Sequence, residues 1–159
     1  MTTFHLEREL VLPQPIDRVF EFFGDPGNLE EITPSWLKFR VLRADSLPLR
    51  EGSRIDYRLR FRGLPMRWTS LISRWDPPHV FVDEQLRGPY RRWVHTHLFE
   101  DLGEKTRSRD LVQYEVPGGR IVEALFVRRD LERIFEYRCR RLLELLGAAD
   151  SVQSASSSA

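Results

Sequence analysis

The chain has 159 residues, enough for one domain with a sizeable core and too few for two full ones. Hydrophobic residues make up 41% and charged residues 31%, which excludes wholesale disorder, and no apolar run is long enough to span a bilayer. Twenty-five basic against 24 acidic side chains leave a formal charge of +1, without the positive field that drives nucleic-acid binding, so neither a nucleic-acid partner nor stable membrane insertion is expected.

Phe4, Leu6, Leu10 and Leu12 recur at even spacing with Glu7 and Glu9 between them, which predicts a first strand ending at Pro13. Ile16, Val19, Phe20 and Phe23 then fall at helical spacing, with Pro15 suited to the first turn and Gly24 to the stop. A second short helix holding Leu29 and Ile32 is expected to end before Pro34. From there to about residue 120 the chain consists of short alternating runs divided by turn signals at Gly63-Leu64-Pro65, Asp76-Pro77-Pro78, Gly88-Pro89-Tyr90, Leu102-Gly103-Glu104 and Pro117-Gly118-Gly119. This rhythm predicts about six strands in an antiparallel meander. Its clearest strand is Ile55 to Arg62, where Ile55, Tyr57, Leu59 and Phe61 alternate with Asp56, Arg58, Arg60 and Arg62. The arginines read as a solvated outer row.

After Gly119 the period becomes helical: Arg129, Arg133, Glu136, Arg140 and Glu144 form a polar stripe opposite Val127, Leu131, Ile134, Phe135, Leu142 and Leu145. A helix of about seven turns from about residue 120 to 147 is predicted, with Gly147 as its stop. The Ser-rich remainder, 148–159, is expected to be a flexible tail, leaving 1–147 as a single domain. Cys139, in step with Phe135, Leu142 and Leu146, reads as a buried, inert thiol. As the only cysteine it excludes an internal disulfide and any multi-cysteine zinc site, and with a start that lacks signal-peptide form it points to the cytoplasm.

A strand, two short helices, a run of strands and one long helix describe an α+β chain in which a curved antiparallel sheet wraps the C-terminal helix. In this order residues 1–147 resemble the START/Bet v1-like superfamily, also called SRPBCC or helix-grip. A narrower similarity, to a bacterial polyketide cyclase-like or cell-division-inhibitor-associated subgroup, rests on Arg74-Trp75-Asp76-Pro77-Pro78, Phe81 to Gln85, Gly88-Pro89-Tyr90, Trp93 to Glu100, Asp110, Tyr114 and Pro117-Gly118. The resemblance implies an apolar small molecule, such as a lipid or polyketide, held between sheet and helix; a minority of the superfamily performs cyclisation or hydrolysis there.

The residues themselves supply candidates for such a pocket. Trp93, His95, His97 and Phe99 share one strand face; Phe81, Asp83 and Gln85 share a face of the preceding strand, and Asp110, Val112 and Tyr114 one of the next. Large aromatics with sparse polar groups are the ordinary lining of a small-molecule site, although the same set also suits a sheet core with hydrogen-bonded histidines. The expected ligand-binding set is Tyr57, Leu59, Phe61, Trp68, Phe81, Trp93 and Phe99 for apolar area, with Asp83, Gln85, His95, His97, Asp110 and Tyr114 for orientation. His95 and His97 with Asp83 or Asp110 also suit metal ligation, but two histidines at i and i+2 are a weak signal, so no metal and no cofactor is expected. The same groups suit proton transfer, which keeps a cyclase, dehydratase or hydrolase as the alternative to a binding protein, with an interaction module as a third reading; no catalytic residue is assigned. Oligomeric state is left open.

Overall fold

The computed structural model describes residues 1–147; the expected tail, 148–159, lies outside the described residues. Seven strands form one antiparallel sheet: β1 (Phe4–Leu12), β2 (Arg40–Ala44), β3 (Arg54–Phe61), β4 (Leu64–Asp76), β5 (Val80–Arg87), β6 (Arg92–Asp101) and β7 (Thr106–Glu115), in the order β1-β7-β6-β5-β4-β3-β2. The meander from β2 to β7 puts sequence neighbours side by side, and β1 closes it by pairing with β7 from Phe4↔Tyr114 to Leu12↔Thr106. Register shifts at Val41/Arg43, Thr69/Ser70 and Ile72/Arg74 bend the strands and curve the sheet.

Between β1 and β2 run α1 (Ile16–Phe23), α2 (Pro26–Glu31) and a 3-10 turn at Ser35–Leu37. α1 turns Ile16, Val19, Phe20 and Phe23 inward. α2 starts on Asp25, whose side chain accepts from the Gly27 N–H at 2.9 Å, with Pro26 in the first turn. The C-terminal helix is continuous, with α3 (Gly119–Val122), a wide-turned stretch Glu123–Val127, α4 (Arg128–Leu142) and a second wide-turned stretch Leu143–Gly147. Its stripe Arg129, Arg133, Glu136, Arg140 and Glu144 is exposed, while Leu131, Phe135, Leu142 and Leu146 are buried against the sheet.

Two local readings differ from the sequence expectation. The β3–β4 turn is Arg62-Gly63, not Gly63-Leu64-Pro65, with φ values of 51° and 81°. Positive φ at both central residues matches the right-handed twist of a two-residue hairpin; Gly63 adopts it without strain. Arg62 is tied across to the helix by its Nε at 3.0 Å from Asp130 Oδ2, so it is not part of a free outer row. On α4 the buried place between Phe135 and Leu142 belongs to Arg138, and Cys139 is only half-buried. The buried positions 131, 135, 138 and 142 follow helical spacing, and position 139 lies one residue, about 100°, round the helix from 138.

The core divides into three clusters rather than one. One joins α1 and the end of the helix through Val19, Phe20, Phe23, Phe81, Phe99 and Leu142; the second joins Trp93, Val112, Tyr114, Leu131 and Phe135; the third is Leu49, Ile55, Tyr57 and Ile72. Leu142→Ala is expected to cost about 2–5 kcal/mol in chemical denaturation, because its cluster is closed on every side. Glu136→Ala, on the exposed stripe, should stay within about 0.5 kcal/mol.

Candidate functional site

A cavity of about 410 Å³ lies where the three clusters fail to meet, between the inner face of β3 to β6 and the helix. This volume is within the range of small-molecule sites. Tyr57, Leu59 and Phe61 of β3 and Trp68 of β4 form one wall, Asp83, Trp93, His95 and His97 of β5 and β6 the floor, and Leu131, Ile134, Phe135 and Arg138 the helical side. Strand parity explains the floor: along β6 the odd residues 93 to 99 are buried and Val94, Thr96 and Leu98 are not. A wider groove outside, about 1400 Å³, shares Thr33, Phe39, Leu59 and Met66 with the cavity but is lined mainly by charged side chains such as Arg58, Arg60 and Glu144.

Five of the thirteen expected ligand-binding residues do not reach the cavity. Phe99 is packed into the first core cluster, 5.7 Å from the Phe20 ring and 5.2 Å from Phe23, because α1 closes over that end of β6. Phe81 is in the same cluster and stacks on the His97 ring at 3.9 Å, as a backing for the histidine. Gln85 turns into the β5–β6 loop, where its amide donates to the Tyr90 carbonyl at 2.7 Å and accepts from the Tyr90 N–H. Tyr114 donates its hydroxyl to Glu123 at 2.8 Å, and Asp110 stands behind His95. All five lie on strands with the right parity, but the element packed above each decides whether it meets cavity or core.

The polar floor is a connected set of groups, buried except for the partly exposed Asp83. Asp110 Oδ1 is 2.7 Å from His95 Nε2 and 3.4 Å from both His97 Nδ1 and Arg138 Nη2. Asp83 Oδ2 is 2.6 Å from His97 Nε2 and 3.7 Å from His95 Nδ1. The two imidazoles stack with centroids 3.7 Å apart. Burial alone would raise the Asp110 carboxyl, but Arg138 and the hydrogen bond from His95 outweigh it and hold it below the usual carboxylate range. Asp83 is pushed up by burial, only partly offset by His95 and Arg138. His97 is held well below its ordinary value of 6.5 by burial and by the neighbouring His95, so its ring is neutral. A neutral ring that donates from Nε2 to Asp83 leaves Nδ1 to accept from Arg138 Nη2, which lies 3.4 Å away.

Arg138 and Glu123 are the buried ionisable residues that sequence reasoning missed. Arg138 is nine-tenths buried, lines the cavity and stacks over Phe23 at 5.3 Å; its Nε has no partner among the described residues. A charge recurring in step with Leu131, Phe135 and Leu142 was the available signal. Glu123 receives the Tyr114 hydroxyl and a two-pronged contact from Arg128, Nε at 3.0 Å and Nη2 at 2.7 Å, which locks the start of the helix to β7.

A curved sheet gripping one long helix, with an apolar cavity between them, defines a helix-grip protein of the Bet v1-like class. The chain belongs to the polyketide cyclase/dehydrase and lipid transport family, which matches residues 12–136. Among solved structures it is similar to the Zhui aromatase/cyclase of Streptomyces sp. R1128, at 19% identity, TM-score 0.67 and 94% coverage of each chain. It is similar also to protein Ms6760 of Mycobacterium smegmatis, at 19% identity, TM-score 0.66 and 92% coverage of each chain. Norcoclaurine synthase of Thalictrum flavum shares 16% identity and TM-score 0.65 over 90% of this chain and 96% of that one. At such identities the likeness establishes the fold. No curated protein matches the chain. Among the described residues no helix is long and apolar enough to cross a membrane.

The neutral His97 has a measurable consequence. Below its ordinary value of 6.5 the unfolded chain takes up a proton that the folded chain refuses, so acidification favours unfolding through this residue. The raised Asp83 works in the opposite sense, since there the folded chain takes the proton first. Comparison with His97→Gln isolates the histidine. As pH falls from about 7 to about 5, wild type is expected to lose stability relative to the variant by up to about 1.4 kcal/mol per pH unit, read from denaturant midpoints.

Proposed function

We propose that the protein binds an apolar or aromatic small molecule of lipid or polyketide type in the cavity between sheet and helix. The observation that carries this reading is the cavity itself: about 410 Å³ walled by Tyr57, Leu59, Phe61, Trp68, Trp93 and Phe135, with few polar groups among the lining. Burying roughly 300 Å² of apolar ligand surface at about 25 cal/mol per Å² gives about 7 kcal/mol before association costs, so affinity rests on area. Asp83, His95, His97 and Arg138 would then choose among ligands by their oxygen substituents, since leaving these groups dry and unpaired is costly.

The test is direct. Trp68 and Trp93 line the cavity, so their emission should change on saturable binding of 1-anilinonaphthalene-8-sulfonate, and fatty acids of graded chain length should displace the dye. Ile134→Trp, which fills the helical side, is expected to weaken binding at least tenfold with the fold intact by circular dichroism. Unchanged dye and fatty-acid affinity in that variant would remove the cavity from the function. His95→Gln is expected to alter the ranking of ligands more than it alters melting temperature.

One observation supports a second reading, proton-transfer chemistry of cyclase, dehydratase or hydrolase type. His97 and Asp83 share a 2.6 Å hydrogen bond at the cavity wall, with burial moving the imidazole down and the carboxyl up. Turnover of an enolisable polyketide-like substrate that disappears in both His97→Gln and Asp83→Asn would favour it over binding alone.

A further inference from the structure

We propose that Asp83, His95 and His97 form a binding site for a divalent first-row transition-metal ion that opens into the cavity. All three residues line the cavity, and one ligand atom from each, a carboxylate oxygen and two ring nitrogens, falls within 4.8 Å of the other two. Metal–ligand bonds of about 2.0–2.2 Å place tetrahedral donors about 3.3 Å apart. The pairs Asp83 Oδ2 to His97 Nε2 at 2.6 Å and to His95 Nδ1 at 3.7 Å bracket that separation; the two rings, stacked at 3.7 Å with 29° between their planes, turn out of that stack to point both lone pairs at one ion.

The other side of each ring carries the second part of the argument. Asp110 Oδ1 is 2.7 Å from His95 Nε2 and 3.4 Å from His97 Nδ1, the outer nitrogens in both cases. A carboxylate behind an imidazole fixes the ring and raises its basicity as a ligand. One carboxylate therefore faces the two inner nitrogens and a second faces the two outer ones. Ligation through His97 Nε2 moves its ring proton to Nδ1, which gives up the contact from Arg138 Nη2 and donates to Asp110 Oδ1 instead. If Asp83 is protonated beforehand, its proton leaves as the metal binds.

Charge and hydrogen bonding agree. With both carboxylates ionised, Asp83, Asp110 and the Arg138 guanidinium sum to one negative charge, which a divalent ion turns to one positive charge, leaving room for an anionic oxygen from water or ligand as a further donor. Arg138 lines the same cavity with its Nε lacking any partner among the described residues, although its side chain is nine-tenths buried. Its Nη2 lies 3.4 Å from both Asp110 Oδ1 and His97 Nδ1, so its charge offsets the carboxylate behind the rings. Two imidazole nitrogens and one carboxylate select zinc, iron(II), cobalt or nickel over calcium and magnesium.

The experiment uses the full chain stripped with chelator and titrated with cobalt(II), read by its visible ligand-field bands, and with zinc, read by calorimetry. One ion per chain is expected, at micromolar affinity or tighter. Asp83→Asn and His97→Gln should each weaken binding at least a hundredfold, and Asp110→Asn, which leaves the ligands in place, ten- to a hundredfold. The double variant His5→Gln/His79→Gln, whose histidines are exposed, should bind as wild type. Absence of binding at millimolar metal, full affinity in His97→Gln and Asp83→Asn, or loss in the His5/His79 double variant would each overturn the site. If the ligand variants do not fold, X-ray absorption of zinc-loaded wild type decides: a first shell with two imidazoles and a carboxylate supports the site, and any other donor set overturns it. Dye and fatty-acid binding to the metal-free chain is independent of all these outcomes.

Discussion

The structure is governed by a mismatch of widths. A sheet of seven strands is roughly 30 Å across, while a helix with its side chains is about 10 Å. One helix cannot cover the apolar face of such a sheet. Curvature, produced by the register shifts in β2 and β4, wraps the sheet toward the helix and shortens the gap. At one end α1 fills what remains with Phe20 and Phe23, and a closed core results. At the other end Leu29, Ile32, Leu37 and Phe39 border the gap without filling it, and the cavity is the remainder.

That origin accounts for the uneven character of the inner face. Where α1 packs, aromatic rings meet edge to face, Phe20 against Trp75, Phe81 and Phe99, as in an ordinary core. Beside that packing β5 to β7 present carboxylates and imidazoles instead, and the helix answers with Arg138, stacked over Phe23. Burying four ionisable groups from the sheet and one guanidinium is expensive unless each finds partners. Asp110 is the member on which the others converge, and the guanidinium beside it keeps it ionised. Satisfying such a set within the protein fixes where each ring points, which is the preorganisation a selective site needs. Glu123, Tyr114 and Arg128 perform an analogous task at the start of the helix, and there the groups are consumed by one another.

Family membership and geometry contribute different parts of the functional picture. The polyketide cyclase/dehydrase and lipid transport family is named for the handling of apolar molecules, and the cavity provides a place for one. The chemistry of the histidine–carboxylate floor follows from distances rather than from the fold, which hosts many functions.

Whatever depends on local periodicity was legible in the sequence. Alternation along Ile55 to Phe61 and along Trp93 to Phe99 determined which side chains face inward, because the strand period is two and a slip would expose every apolar group. The stripe Arg129 to Glu144 determined the solvent face of the helix in the same way, and with it the helix-grip architecture. Periodicity is silent about what stands opposite an inward side chain. Phe99 and His97 share a strand and a parity, yet Phe99 is enclosed by Phe20 and Phe23 of α1, while His97, 6.1 Å from the Phe23 ring, keeps a side toward the cavity. Tyr114 and Gln85 likewise have partners, Glu123 and the Tyr90 backbone, that no spacing along their own strands discloses. The way the helix is seated on the sheet puts Arg138 rather than Cys139 beneath it. Those outcomes depend on contacts between residues far apart in the chain, and only the assembled tertiary structure decides them.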